Sequence, residues 1–227
     1  MSRRNHFRML SLAILVSLFG APGALAFQLA SRVTEEWIRT LERPERLKTQ
    51  KVDEVISRLG LKPGMVVADL GAGSGFFSRP LAEAVAPSGR VYAVDIQQGL
   101  LDYIDRRNKE EKIGNVKTVL GELDDPKIPG NDVELAFFND VLHHIEHRDA
   151  YLKALARYIR PTGRIAVIEM DKNDPNGSHR NQPEVQVSRE QLDQWMSDAG
   201  FQPVKEDHDL FPGTKLFIIY GRKSAKK

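Results

Sequence analysis

Apolar side chains along this chain of 227 residues recur with two alternating spacings, one helical and one extended. Val52, Val55, Ile56 and Leu59 stand at i, i+3, i+4 and i+7 and stop at Gly60, which predicts an amphipathic helix with a glycine C-cap. Pro63 and Gly64 turn the chain, and the run from Met65 to Asp69 predicts a short buried strand. Val91 to Val94, Val116 to Leu120, Leu135 to Phe138, Ile165 to Ile168 and Leu216 to Tyr220 repeat that signal. Helical stripes fall among them. Leu152, Leu155, Ala156 and Ile159 form one, stopped by Pro161 and Gly163. Leu192, Trp195, Met196 and Ala199 form another, opened by the capping box Ser188-Arg189-Glu190-Gln191 and closed by Gly200. Strands alternating with helices predict an α/β fold whose mostly parallel sheet is covered on both faces. Each stripe, Trp195 and Met196 included, reads as core.

Three segments depart from this alternation. Residues 1–26 have a basic start (Arg3, Arg4, Arg8), an apolar run from Met9 to Phe19, breakers at Gly20, Pro22 and Gly23, and the small-x-small site Ala24-Leu25-Ala26. That pattern predicts a secretory signal peptide cleaved before Phe27, and the apolar run is shorter than the roughly 20 residues that span a bilayer. An uncleaved anchor or a misassigned start, which would leave the protein membrane-anchored or cytoplasmic, is the alternative. Residues 27–50 form a charged lead-in, helical in pattern from residue 31 with Trp37, Ile38 and Leu41 as its apolar side, and are a candidate lid. Residues 171–187 are polar and rich in Asn and Pro, a length of loop that in a compact domain is functional or disordered. The main domain is expected over residues 51–222, with 223–227 a basic solvated tail.

Composition narrows the chemistry. Hydrophobic residues make up 41% and charged residues 28%, which excludes a disordered or collagen-like chain. The 33 Lys and Arg barely exceed the 31 Asp and Glu, and the leader holds three of those arginines. The remainder is close to neutral and offers no electrostatic reason to bind a nucleic-acid backbone. Cysteine is absent, so disulfides, thiolate metal sites and thiolate nucleophiles are excluded.

The first strand runs into Asp69-Leu70-Gly71-Ala72-Gly73-Ser74-Gly75-Phe76-Phe77. Glycines at such a strand-to-helix turn let the backbone approach a ligand. Phe76 stands where a dinucleotide fingerprint wants its third glycine, and Asp69 at the strand's tip would repel a pyrophosphate but suits a ligand carrying positive charge. Asp95 ends the second strand 20 residues beyond Gly75, where a carboxylate accepts hydrogen bonds from a ribose diol. A nucleoside with a cationic tail satisfies all three observations. A nicotinamide-dependent oxidoreductase is the weaker competitor, disfavoured by Phe76 and Asp69.

These residues resemble the class I S-adenosylmethionine-dependent methyltransferases, in particular small bacterial enzymes related to quinone C-methyltransferases. Val66 to Gly75 looks like their first motif, Val91 to Ile96 like the second, Asp132 to His144 like the fourth, and Arg160 to Arg164 like the turn before strand five. The resemblance covers roughly residues 50–222. It implies a Rossmann-like, doubly wound sheet of seven strands and S-adenosylmethionine as cofactor. It further implies that Asp69 and the backbone of Gly71, Ala72, Gly73 and Gly75 hold the methionine end, with Asn139 beside them. Asp95 would grip the ribose, Ile96 would meet the adenine face, and Glu122, Leu123 or Asp124 would line the adenine edge.

After the fourth strand comes Asn139-Asp140-Val141-Leu142-His143-His144-Ile145-Glu146-His147. Side chains there should face the acceptor, because ligands in this fold bind outside the carboxyl ends of the strands. Methyl transfer from a sulfonium is an in-line displacement in which alignment supplies most of the acceleration. A base is needed only when the acceptor carries a proton, and His144 and Asp140 are the candidate catalytic residues. A structural role for His144, bonding a loop carbonyl, is the alternative. His143 and His147 stand four apart, on one face if the segment is helical, but the zincin pattern is absent and no metal is expected. The fourth motif lacks the Asn/Asp-Pro-Pro-aromatic tetrad of amino-methylating enzymes, and zero cysteine removes cytosine-C5 methylation of the usual kind. A small-molecule acceptor remains, expected beneath residues 31–50 and 171–187. An exported binding module without catalysis on the same fold is the alternative function.

Overall fold

The computed structural model describes residues 34–174 and 187–223. The expected leader, the lead-in before residue 34, most of the polar loop and the basic tail after Lys223 therefore lie outside the described residues. Two short lead-in helices, α1 (residues 34–41) and α2 (Pro44–Thr49), precede α3 (Val52–Arg58). The main alternation follows as β1 (Val66–Leu70), α4 (Ser78–Val85), β2 (Arg90–Asp95), α5 (Gln98–Glu110), β3 (Val116–Leu120) and β4 (Val133–Asn139). A single 3-10 turn (Leu142–His144) leads to α6 (Arg148–Tyr158), β5 (Ile159–Met170), α7 (Arg189–Asp198), β6 (Phe201–Glu206) and β7 (Lys215–Arg222).

The strands form one seven-stranded sheet in the order β3-β2-β1-β4-β5-β7-β6. All neighbouring pairs are parallel except those made by β7, which runs antiparallel to both β5 and β6. From β1 the chain winds outward through β2 and β3, then returns to lay β4 against the other side of β1. Their carboxyl ends thus flank the point where the winding reverses, the place where open α/β sheets form a ligand crevice.

Strand alternation sorts the core into two layers. Val67, Val91, Leu135, Phe137, Ala166 and Ile168 face α3 and α4 and meet Val55, Leu59, Phe77, Leu81 and Val85. Ala68, Leu70, Val94, Ala136, Phe138, Ile165 and Val167 face α6 and α7 and meet Leu152, Leu155, Leu192 and Met196. Each fully buried Val, Leu or Phe side chain contributes about 1.5–3 kcal/mol before chain ordering is subtracted. Asp69 and Asn139 alternate in phase with Val67 and Phe137, so both carry polar groups out of the α4-facing layer.

Local signals act as the sequence predicts at several ends. Helix α3 stops with Gly60 at φ 65°, and the Ser188 Oγ accepts from Gln191 N (3.1 Å) while Gln191 Oε1 accepts from Ser188 N (3.0 Å). Two elements differ from the pattern. Pro161 and Gly163 do not separate α6 from its strand by a turn: β5 begins at Ile159, and the irregularity is absorbed as a register shift opposite Val133 and Leu135. Strand β6 buries only Phe201 fully and otherwise faces solvent, so no alternating apolar run marks it.

Candidate functional site

The turn after β1 is stitched to the end of β2. Ala72 N donates to Val94 O (2.9 Å), and Gly75 N donates to Ala72 O (2.8 Å). The Asp95 carboxylate closes the stitch, Oδ2 accepting from Gly73 N (2.9 Å) and Oδ1 from Gln97 N (3.0 Å). Asp95 is buried, and that burial pushes its pKa up against the opposing pull of the backbone N–H groups. Each carboxylate oxygen has two acceptor directions, so both retain capacity for a ribose hydroxyl. Gly71 is indispensable to the turn. Its φ is 65°, and a Cβ there would lie 2.2 Å from Val141 Cγ2, so the backbone passes the end of β4 at a distance no side chain permits.

Asp69 stands beneath this turn at 3% exposure and accepts a 2.6 Å hydrogen bond from Ser78 Oγ in the first turn of α4. Burial pushes its pKa up to about 7; the Ser78 hydroxyl opposes the rise and the Asp95 charge adds to it. A carboxyl held so reluctantly as an anion gains from any cationic neighbour that arrives. Beside it, Ser74 Oγ and Asn139 Oδ1 are buried with no hydrogen-bond partner among the described residues. Buried polar atoms left unpaired are costly, and here they border an open cleft of about 350 Å³ lined by Asp69, Gly71, Gly73, Ser74 and Asn139.

Further along the same edge, Ile96 and Leu123 are exposed at 53% and 64%. Glu122 and Asp124 are also exposed, Glu122 in an ion pair with Lys127 (3.2 Å). Gly121 N donates to Asp95 O (3.0 Å), which brings this turn beside the Asp95 residue that closes the glycine turn.

The lead-in covers the cleft from above. Leu41 lies over Gly73, Thr34 over Gly99, and Glu42 accepts from the Tyr103 hydroxyl (2.9 Å) while approaching Arg79 (3.8 Å). Trp37, expected on its apolar side, is 43% exposed, whereas Ile38 and Leu41 are half-buried. Gln50 fastens the other end. It is buried, its Oε1 accepts from Asn139 Nδ2 (3.1 Å), and its Nε2 donates to Asp140 Oδ2 (3.2 Å). Asp140 takes a left-handed φ of 53° and its Oδ2 also accepts from Lys215 Nζ (2.6 Å) at the start of β7.

The histidines separate sharply. His143 is buried, its Nδ1 2.7 Å from Glu169 Oε1 at the end of β5, and its backbone N donates to Glu169 Oε2 (3.2 Å). His144 is exposed and its ring rests on that of His143, centroids 3.9 Å apart. His147 is exposed at the N-cap of α6, so His143 and His147 share no helical face. Among the described residues no group of three or more His, Cys, Asp or Glu side chains could hold a metal ion.

The structure thus gathers Asp69, Gly71, Ala72, Gly73, Asn139 and Asp95 at one crevice, with Ile96 and Leu123 along its rim. His144 and Asp140 sit in different surroundings, the first exposed and the second bonded by Gln50 and Lys215. Arg46, Gln50, Lys215 and Glu169 were not singled out by the sequence. Gln50 and Lys215 meet Asp140 across 90 and 75 residues, and no local pattern encodes such pairings. For Glu169 one signal exists, a carboxylate ending an otherwise apolar strand.

Comparison with known proteins agrees with this geometry. A family profile described as a methyltransferase domain matches residues 61–206. The ubiquinone/menaquinone biosynthesis C-methyltransferase of Hydrogenovibrio crunogenus is 31% identical over 50% of this chain and 45% of its own length. The demethylmenaquinone methyltransferase of Geobacillus sp. (strain WCH70) is 26% identical over 52% of this chain and 50% of its own. The chain spans about half the length of the curated relatives it matches. A crystal structure of a SAM-dependent methyltransferase from Aquifex aeolicus superposes with a TM-score of 0.73 at 26% identity, covering 81% of this chain and 95% of that one. With its sheet order, its glycine turn and this profile match taken together, the chain belongs to the class I S-adenosylmethionine-dependent methyltransferase domain family.

Proposed function

We propose that this protein transfers the methyl group of S-adenosylmethionine to a small-molecule acceptor, and, on the leader pattern, does so as an exported protein. The observation that carries the reading is the Asp95 carboxylate bonded to Gly73 N at the switch point, with Asp69 buried beneath the same turn. The residues present fit the cofactor: glycine backbone that admits close approach, two buried oxygens awaiting donors, and exposed apolar side chains at the rim.

When bound, S-adenosylmethionine supplies an electrophilic methyl group on a positively charged sulfur. The chain's own residues do the rest. Asp69 and Asn139 Oδ1 accept from the ammonium of the methionine end, and Asp95 accepts from the ribose hydroxyls. Ile96 and Leu123 close on the adenine, with Glu122 and Asp124 along its edge. α1 and α2 exclude water from the crevice. For an acceptor that carries a proton, His144 is the solvent-facing base, while Asp140 is committed to Lys215 and Gln50 and serves to hold the lead-in in place. Nothing in the site favours a role without catalysis.

Calorimetric titration of S-adenosylmethionine and S-adenosylhomocysteine into the purified protein tests the cofactor site, with Asp95→Ala as control. Hydrogen bonds to charged groups are worth about 1.5–3 kcal/mol each, so losing both diol contacts weakens binding on the order of a hundredfold or more. Absence of binding by the folded wild type defeats the reading. Release of S-adenosylhomocysteine on adding candidate acceptors then identifies the second substrate.

A further inference from the structure

Charge is buried beneath the turn that carries His144. Glu169, near the end of β5, is 1% exposed, and its carboxylate serves one short stretch of chain. Oε2 accepts from His143 N (3.2 Å), while Oε1 accepts from Met170 N (3.0 Å) and lies 2.7 Å from His143 Nδ1. Arg148, the first residue of α6, grips the other side of the same turn. Its Nε donates to Leu142 O (2.9 Å) and its Nη2 to His143 O (2.6 Å). The guanidinium in turn lies over the Trp195 ring of α7, 5.0 Å from its centroid. An anion thus holds the N–H side of the turn and a cation its carbonyl side, and the exposed member of the turn is His144.

Neutral Ser or Asn side chains hold turns of this size, whereas a carboxylate taken out of water is costly. A charge kept there points to a use for it. Both Glu169 oxygens accept from backbone N–H groups, which suits the ionised carboxylate and leaves His143 Nδ1 the role of donor. Burial pulls the pKa of Arg148 down and the Glu169 charge opposes this, so Arg148 supplies the positive charge that balances Glu169 and the His143 ring stays neutral. That ring meets His144 with centroids 3.9 Å apart and planes at 46°. The anion therefore stands one ring behind His144, and a carboxylate behind an imidazole fixes its orientation and favours the imidazolium. The other charged groups around the turn are Asp140 before it, already paired with Lys215, and Glu146 and His147 after it, both exposed; α7 contributes the uncharged Trp195.

We propose that Glu169 and Arg148 are positioning residues for His144: acting through His143 and the turn, they fix its imidazole, and the Glu169 charge favours the imidazolium formed when it takes the acceptor's proton. This rests on the reading of His144 as the base. The acceptor's oxygen, nitrogen or carbon gains the methyl carbon, the electron pair of the broken C–S bond stays on sulfur, and the displaced proton passes to a ring nitrogen of His144. The acceptor is then of a class with a proton to lose, a hydroxyl, an amine or an activated C–H, rather than a thioether or a tertiary amine.

Long-range 1H–15N spectra of the labelled protein between about pH 5 and pH 8 read the tautomer and titration midpoint of each imidazole. Wild type, Glu169→Gln and Glu169→Asp are compared, with His144→Gln to assign the resonance. Wild-type His143 should carry its proton on Nδ1 throughout. The His144 midpoint should fall by roughly 0.5–1 in pH in the Gln variant, and stay within about 0.2 of wild type in the Asp variant, which keeps the charge. A His143 that titrates, or that carries its proton on Nε2, overturns the proposal in the wild type alone, so a Gln variant that fails to fold leaves it testable. A His144 midpoint that is unchanged in the Gln variant, or that moves equally in both, also overturns it and leaves Glu169 a scaffold for the turn. Calorimetry of S-adenosylhomocysteine with the wild type is read separately. Absence of binding removes the cofactor reading and this inference with it, whereas binding beside a His144 indifferent to Glu169 removes this inference alone.

Discussion

Asp69 should make the ligand-free protein less stable as the pH rises from acid to neutral, and Asp69→Asn should remove that dependence. Burial raises its folded-state pKa from the ordinary value of 3.8 to about 7, so between those two values the folded chain holds a proton the unfolded chain has lost. Stability falls with pH wherever the folded state binds more protons, so the loss begins near the unfolded pKa and is complete above the folded one. The full displacement corresponds to roughly 4 kcal/mol, of which about 2.5 develops between about pH 5 and pH 8. An Asn at 69 can still accept from Ser78 Oγ but adds N–H groups without partners, at a cost that does not vary with pH. Urea unfolding of both proteins at about pH 5 and pH 8 isolates the carboxyl, because every other titrating group cancels in the difference. The advantage of the Asn variant should grow by about 2–3 kcal/mol across that range. A gap that stays constant would refute the reasoning. The same variant should bind S-adenosylhomocysteine more weakly, since the ionised form that destabilises the fold is the one an ammonium requires.

Lys215→Met should lower stability by about 1–3 kcal/mol, because it leaves the half-buried Asp140 carboxylate without its cation, and the Asp140→Asn/Lys215→Met pair should recover much of that in urea unfolding. A double variant no more stable than the single one would remove the ion pair as the cause. If the leader is cleaved as its pattern predicts, N-terminal sequencing of the native protein should begin at Phe27. A start at Met1 or Ser2 would remove the export reading.

The parts of the fold that were legible are those whose own residues carry the signal. Six strands, the α3, α6 and α7 stripes, the Gly60 stop and the Ser188–Gln191 box could be read from spacing because each buries one regular face. β6 could not, since an edge strand with Pro203 and exposed polar neighbours has little apolar face to display. Nor could α5, whose buried Leu100, Leu101, Tyr103 and Ile104 sit among charges that dilute the stripe. Pro161 and Gly163 misled for a physical reason: both are punctuation in isolation, yet a sheet can carry them where its register slips. In the site, Asp69, the glycine turn and Asp95 were readable because a strand end fixes their spacing. Adjacent histidines gave no means of knowing which would turn inward, because a 3-10 turn decides that His143 is buried against Glu169 and His144 is exposed. Arg46 was hidden among the other charges of a polar helix and became conspicuous only where the fold lines the cleft with it.

The antiparallel β7 has a consequence for how the chain is made. It lies inside the sheet, between β5 and β6, so the strand nearest the end of the described sequence occupies an interior slot rather than an edge. A nascent chain released as far as residue 214 would have formed β5 with one flank bare, presenting Ile165 to Ile168 to any strand that came by. Only when β7 has been laid against β5 can β6 dock and the sheet close. Truncations that stop short of Arg222 should therefore yield aggregates rather than a smaller folded domain.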